Sequence, residues 1–272
     1  MQAFPSWTPP GGTLGRILDE TRDRIAALKA RTSALESALD SAPPISSFAS
    51  ALRGKDVAII AEVKRRSPSK GTINAGIAAA AQGRAYQDGG AKAVSVLTEE
   101  ANFGGTPEDL REVRGAIWLP VLKKDFHVDP VQVLEARVLG ASALLLIARA
   151  LTPAALEELA RLAVQAGIEP VIEVRDRREL EVAIATGAPV IGVNARDLET
   201  LEVDRGVCEE LIPLIPSDRI AVFESSVRDR AGVEGAAALG ADAVLVGSAV
   251  SQAARPADAV RSLAGVTRRS RD

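Results

Sequence analysis

Beyond residue 52 the chain repeats one pattern. Short apolar runs rich in Val, Ile and Leu alternate with Ala-rich stretches whose charges recur at helical spacing. The runs are Val57–Val63, Ala93–Leu97, Leu119–Leu122, Ala143–Ile147, Pro170–Val174, Pro189–Val193, Ile220–Phe223 and Ala243–Val246. Their centres lie roughly 20 to 35 residues apart, the length of one strand–helix unit. Gly89-Gly90, Gly140, Gly167, Gly187 and Gly240 fall just before strands, where a helix needs a left-handed C-cap.

Continuous apolar strands between helices predict a parallel sheet covered on both faces. Eight units in about 215 residues predict a (β/α)8 TIM barrel, whose usual size is about 250 residues. The competing arrangement is an open doubly wound sheet. It normally carries G-x-G-x-x-G after its first strand, and here that strand runs into Lys64-Arg65-Arg66-Ser67-Pro68-Ser69-Lys70-Gly71 instead.

The N-terminal part reads differently. Leu14, Ile17, Leu18, Ile25 and Leu28 predict a helix from Thr13 to about Leu39, closed off by Pro43-Pro44. Residues 1–52 are therefore expected to form a lead-in and an extra helix, and residues 53–272 the barrel. Met1–Gly12 is rich in Pro and Gly and lacks the basic-then-apolar layout of a signal peptide; it is expected to be mobile or loosely packed. No apolar run reaches the roughly 18 residues of a membrane span, so a cytoplasmic address is expected and a membrane partner is not.

Strand parity supplies the candidate chemistry. Side chains alternate between the faces of a strand. In Ile59-Ile60-Ala61-Glu62-Val63-Lys64, the residues Ile59, Ala61 and Val63 should face helices, which turns Glu62 and Lys64 into the barrel near its C-terminal mouth. Lys124, Glu173, Asn194 and Glu224 take the same position on the third, fifth, sixth and seventh strands. A lone polar strand end is ordinary; five converging on one rim is the layout of a barrel active site. Lys123, with opposite parity, should turn outward.

Composition narrows which chemistry that rim can hold. The 272 residues contain one Cys (Cys208) and one His (His127). A disulfide framework and a Cys/His zinc site are excluded, and acid–base work falls to Lys, Glu and Asp. A net charge of −3 gives no reason to expect nucleic acid as a partner. His127 reads as a loop residue and Cys208 as helix packing. The seventh and eighth strands end in Glu224-Ser225-Ser226 and Gly247-Ser248, small residues at the place where barrels often hold phosphate. The loop Ser67–Gly71 is positioned to close over the same ligand.

Together these residues resemble the indole-3-glycerol phosphate synthase family. The likeness lies in Ile60–Gly71, in Val96-Leu97-Thr98-Glu99 with Phe103-Gly104-Gly105-Thr106, in Pro120–Phe126 and in Ile191–Leu198. It runs from about Leu14 to the C-terminal region without large gaps. It implies a lyase of tryptophan biosynthesis that closes the ring of 1-(2-carboxyphenylamino)-1-deoxyribulose 5-phosphate with loss of carbon dioxide and water. It further implies no metal or organic cofactor, a small phosphorylated substrate, a monomer or weak homo-oligomer, and an extra helix over the barrel mouth. By the same resemblance Lys124 protonates the carbonyl oxygen; loss of the resulting hydroxyl needs acid and base again, and Glu62, Lys64 and Glu173 are placed on the rim for that. Asn194, Glu224 and Ser225 orient the substrate. Ser226, Gly247 and Ser248 cradle phosphate with Ser67 nearby, Arg196 joins the substrate contacts, and Phe103, Phe126, Leu145 and Leu198 wall the aromatic ring.

The chain departs from the family at three positions. Ser226 stands where Gly is common, Arg175 where His often follows the fifth-strand Glu-Val, and Val131 where Tyr is common. None removes a catalytic side chain. A phosphosugar isomerase of the phosphoribosylanthranilate type and a specialised or non-catalytic paralogue are the alternatives. The isomerases place an Asp pair, or Cys and Asp, where this chain has Glu62, Lys64, Lys124 and Glu173.

Overall fold

In the computed structural model, which describes residues 8–271, eight parallel strands close into a barrel. They are β1 (Ala58–Val63), β2 (Ala93–Leu97), β3 (Val121–Lys124), β4 (Ala143–Ile147), β5 (Glu169–Val174), β6 (Val190–Asn194), β7 (Ile220–Glu224) and β8 (Ala243–Val246). Each pairs with its sequence neighbours, and β8 pairs with β1 in the register Ala58 opposite Ala243. Helices join successive strands, as right-handed parallel crossovers require. Before their strands Gly90, Gly140, Gly167, Gly187 and Gly240 take positive φ, the conformation that lets a helix stop and the chain reverse at once.

The alternation read from sequence separates two cores. Ile59, Ala61, Val63, Val94, Val96, Leu144 and Leu146 face the helices. Ile60, Leu122, Leu145, Val171, Val222 and Leu245 fill the barrel interior. The third strand begins two residues later than Leu119–Leu122 and runs through Lys123 and Lys124. Counting apolar residues stops at charges, and here the charges belong to the strand.

The N-terminal segment forms two helices rather than one: α1 (Gly12–Lys29) and α2 (Thr32–Leu39), with Ala30 and Arg31 between them. The break lets both pack on the helix Pro130–Val138, through Ile25, Leu28 and Leu35 against Val131. Leu14 and Ile17 of α1 instead join the interior core at the C-terminal mouth. A third helix, α3 (Phe48–Leu52), sends Phe48 and Leu52 into the same core at the opposite end. It is held there by Glu169 at the start of β5, which accepts from Ser47 Oγ and Ala49 N–H at 2.6 Å each. The expectation of a loose lead-in covers Met1–Trp7, which lie outside the described residues. Thr8–Gly11 are tied down: Arg149 donates to the Thr8 carbonyl and Gly11 donates to Glu199. Near the C-terminus Arg268 and Arg271 both pair with buried Asp242, which also accepts the Ala221 N–H.

Lys123 turns away from the interior, as parity requires, yet it is not solvated. It is fully buried between strand and helix, 3.3 Å from Asp125 and 3.0 Å from Glu135. Asp125 also accepts from Arg24 of α1, at 2.5 Å, and from Thr98. Burial opposes the charge on Asp125, but Lys123 and Arg24 hold its carboxyl well below the ordinary range. His127 lies in the loop after β3 and is buried against this group. Burial first, then Lys123, bring its pKa down to about 3, so the imidazole is neutral. That fixes its hydrogen bonds: Nδ1–H donates to the Leu145 carbonyl at 2.7 Å and Nε2 accepts from Lys123 at 3.2 Å. Among the described residues no helix is long and apolar enough to cross a membrane.

Candidate active site

A cavity of about 410 Å³ opens at the C-terminal ends of the strands, and every candidate residue named from the sequence lines it. At its centre Lys124 Nζ lies 2.8 Å from Glu224 Oε2 and 3.2 Å from Glu173 Oε2. Glu173 Oε1 accepts from Asn194 Nδ2 at 2.9 Å, and Asn194 Oδ1 accepts from Ser225 Oγ at 2.7 Å. One hydrogen-bonded chain thus joins β3, β5, β6 and β7. Across the cavity Lys64 Nζ meets Glu62 Oε1 at 2.6 Å.

Small residues make room for these charges. A Cβ on Gly192 of β6 would overlap the Glu224 carboxylate. One on Gly247 would overlap Glu62 and lie 2.7 Å from Lys64 Nζ. The end of β1 is held from behind: Tyr86 and Ser251 hydroxyls donate to the Glu62 carbonyl at 3.0 and 2.7 Å. Arg65, of opposite parity, makes a bidentate pair with Asp109 at 2.6 Å per bond and anchors the start of the β1 loop.

Whether carboxylates or cations dominate the central lysine is decided by this geometry. Burial alone would lower the pKa of Lys124 and is the largest single influence. Glu224, Glu173 and Glu62 together outweigh it and hold the ammonium above its ordinary range. For Glu224 burial wins: its carboxyl is pushed up to about 7, against the pull of Lys124 and with the help of Glu173. A fully charged ammonium therefore sits against a carboxyl able to exchange protons near neutrality.

The two ends of the cavity differ in kind. Leu14, Ile17, Leu97, Phe103, Phe126, Leu145, Ile147 and Leu198 make an apolar end, with the Phe103 and Phe126 rings 6.1 Å apart. Ser225, Ser226, Gly247 and Ser248 lie at the other, with cations from three loops. Lys70 is lowered by burial and then by Arg228, Lys64 and Arg196, which records how closely these charges gather. Ser225 and Ser226 both take positive φ, 67° and 59°. The Ser226 hydroxyl is buried with no hydrogen-bond partner. So the position where the family commonly has Gly does need a glycine-like backbone, and serine adopts it here under strain.

One contribution was not visible in the sequence. Arg228 lies on an irregular loop where a lone cation carries no periodic signal. Thr13, Leu14 and Ile17 of α1 line the cavity from above, where the family resemblance puts the extra helix. Cys208 is buried in the helix Gly206–Leu211, and burial pushes its thiol up to about 12, which suits packing and not nucleophilic attack. Among the described residues no group of His, Cys, Asp and Glu side chains is arranged to hold a metal ion.

Fold and site define a (β/α)8-barrel enzyme whose mouth gathers paired lysines and glutamates between an apolar pocket and a cationic one. Residues 14–263 match the indole-3-glycerol phosphate synthase family, and the chain belongs to that family. It is similar to indole-3-glycerol phosphate synthase 2 of Streptomyces coelicolor, with 46% identity over 256 residues covering 93% of this chain and 99% of that one. The synthase of Mycolicibacterium smegmatis is 44% identical over 252 residues, covering 92% and 93%. Among solved structures, thiamine phosphate pyrophosphorylase from Pyrococcus furiosus shares the fold, with a TM-score of 0.57 at 16% identity, covering 78% of this chain and 95% of that one.

Proposed function

We propose that the protein forms indole-3-glycerol phosphate from 1-(2-carboxyphenylamino)-1-deoxyribulose 5-phosphate, and that its residues divide the work as follows. The observation that carries this reading is Lys124, an ammonium held between Glu173 and Glu224 at the border of the apolar and cationic ends.

The substrate has the same polarity as the cavity. Its aromatic ring fits the Phe103, Phe126, Leu145 and Leu198 end, and its phosphate fits the Ser226, Gly247 and Ser248 end with Ser67, Arg196 and Lys70. Its ketone then lies near Lys124. Attack of the ring carbon on that ketone builds negative charge on oxygen, and Lys124 donates the proton that neutralises it. Carbon dioxide leaves from the same ring carbon and restores aromaticity. The new hydroxyl leaves as water, pushed by the ring nitrogen and protonated by Lys64, whose partner Glu62 keeps the ammonium in place. Glu173 faces the positive charge that develops on nitrogen and takes the proton lost from the neighbouring methylene carbon, which completes the indole ring. Glu224 returns protons to Lys124, and Asn194 with Ser225 holds Glu173 in line.

The test is direct. Purified protein given the substrate, without added metal, should develop indole absorbance and fluorescence. Folded protein that leaves the substrate unchanged would overturn the reading. Conversion of phosphoribosylanthranilate instead would assign the isomerase activity.

A further inference from the structure

Helix α1 begins without a cap of its own. Gly11 at the N-cap offers no side chain, and the first turn has no acidic residue. Such a helix start leaves N–H groups unpaired and carries partial positive charge. Glu199, on the loop after β6, supplies what is missing from across the mouth. Its Oε2 accepts the Gly11 N–H at 2.8 Å, and its carbonyl accepts the Thr13 N–H at 3.0 Å. Gly12 takes a φ of 55°, and a Cβ there would fall 2.4 Å from the Glu199 carbonyl oxygen. The other carboxylate oxygen of Glu199 accepts from Arg149 Nε at 2.7 Å, and Arg149 Nη1 donates to the Thr8 carbonyl at 2.7 Å.

What this joins is specific. Thr13, Leu14 and Ile17 of α1 line the cavity, and so do Arg196 and Leu198 on the loop that carries Glu199. We infer that Glu199 is a positioning residue for the aromatic half of the substrate: by capping α1 in trans it sets Leu14 and Ile17 over the ring pocket and orders the Arg196–Leu198 loop in the same contact. It touches no reacting atom. Because one carboxylate serves both elements, roof and loop hold or part together. The inference rests on the substrate proposed above.

Glu199→Ala removes the side-chain cap, and Gly12→Ala disrupts the same contact from the helix side while leaving every barrel side chain intact. Each should raise KM about tenfold with kcat changed less than about threefold, the signature of lost binding and not lost chemistry. Glu199→Gln keeps an acceptor for Gly11 and should recover most of the affinity. Amide hydrogen exchange in the first turn of α1 should quicken in both alanine variants. Folded variants with KM within about twofold of the parent, a fall in kcat alone, or unchanged exchange would each overturn the inference. If Glu199→Ala does not fold, Gly12→Ala decides. A parent without indole-forming activity would sink the substrate assignment, whereas the exchange measurement still decides whether Glu199 caps α1.

Discussion

Glu224, fully buried, reaches the partly buried Lys124 at 2.8 Å from the opposite side of the barrel interior. Burial works against the charge on each, and for the lysine the neighbouring carboxylates outweigh it. Together with Glu173 they hold one positive charge among carboxylates, so replacing the lysine has two consequences.

Lys124→Met should lower indole formation by at least about 100-fold, the usual worth of a placed general acid. It should also leave Glu173 and Glu224 facing each other without a cation, so Glu224 stays protonated to higher pH. Single-turnover fluorescence at saturating substrate measures the first effect, and the carboxyl infrared band across pH measures the second. Near-normal turnover would mean that another group donates the proton.

Stability should depend on pH through Glu179. Burial, then Asp176, raises its carboxyl to about 7 from an ordinary value of 4.5. Between those two values the folded state holds the proton more tightly than the unfolded one. This contribution is therefore fully present below about 4.5 and is lost as pH rises to about 7, at most about 3 kcal/mol. Glu179→Gln keeps an acceptor for the Arg175 N–H, which now bonds Oε2 at 2.7 Å. Its stability should exceed the parent's at pH 8 and match it near pH 4.5 in urea titrations. An equal difference at both pH values would place the effect elsewhere. The slope remaining in the variant between these values belongs in part to Glu224.

Ser226→Gly should stabilise the protein. It removes a side chain from a backbone with φ of 59° and a buried hydroxyl without a partner. A gain of roughly 1 kcal/mol follows from the left-handed penalty, or a few degrees in melting temperature. Phosphate should raise the melting temperature of both proteins, by no less in the glycine variant. A destabilised variant would show that the hydroxyl has a use at this bend.

Lys123→Met is the counterpart of Lys124→Met. It leaves buried Asp125 with Arg24 as its one cation and takes the cation from partly buried Glu135, and should cost about 3 kcal/mol of stability. Chemical denaturation measures this. The folded enzyme should keep its turnover at low temperature, because Lys123 does not line the cavity.

The barrel was readable because its physics is periodic. β2, β4 and β8 have the predicted limits because each is an apolar run bounded by a glycine turn or by polar residues. The gathering of charged strand ends around one cavity was readable because parity fixes facing, and facing at a strand end is nearly a position. Other features follow no period. The break at Ala30–Arg31 carries neither Gly nor Pro and is set by how two helices share one neighbour. The burial of Lys123 and His127 depends on Arg24 and Glu135 arriving from separate helices. Glu199 looks like any loop glutamate until α1 is placed against it, 188 positions away.

The alternation along β3 has a consequence for what changes the gene can absorb. Removing or adding one residue between Pro120 and Lys123 would invert the facing of the strand beyond that point, sending one lysine's task to the other's address. No point substitution is needed to lose activity and stability together; a single codon inserted or deleted there is enough. The length of that short connection is thus constrained as tightly as the lysine it delivers.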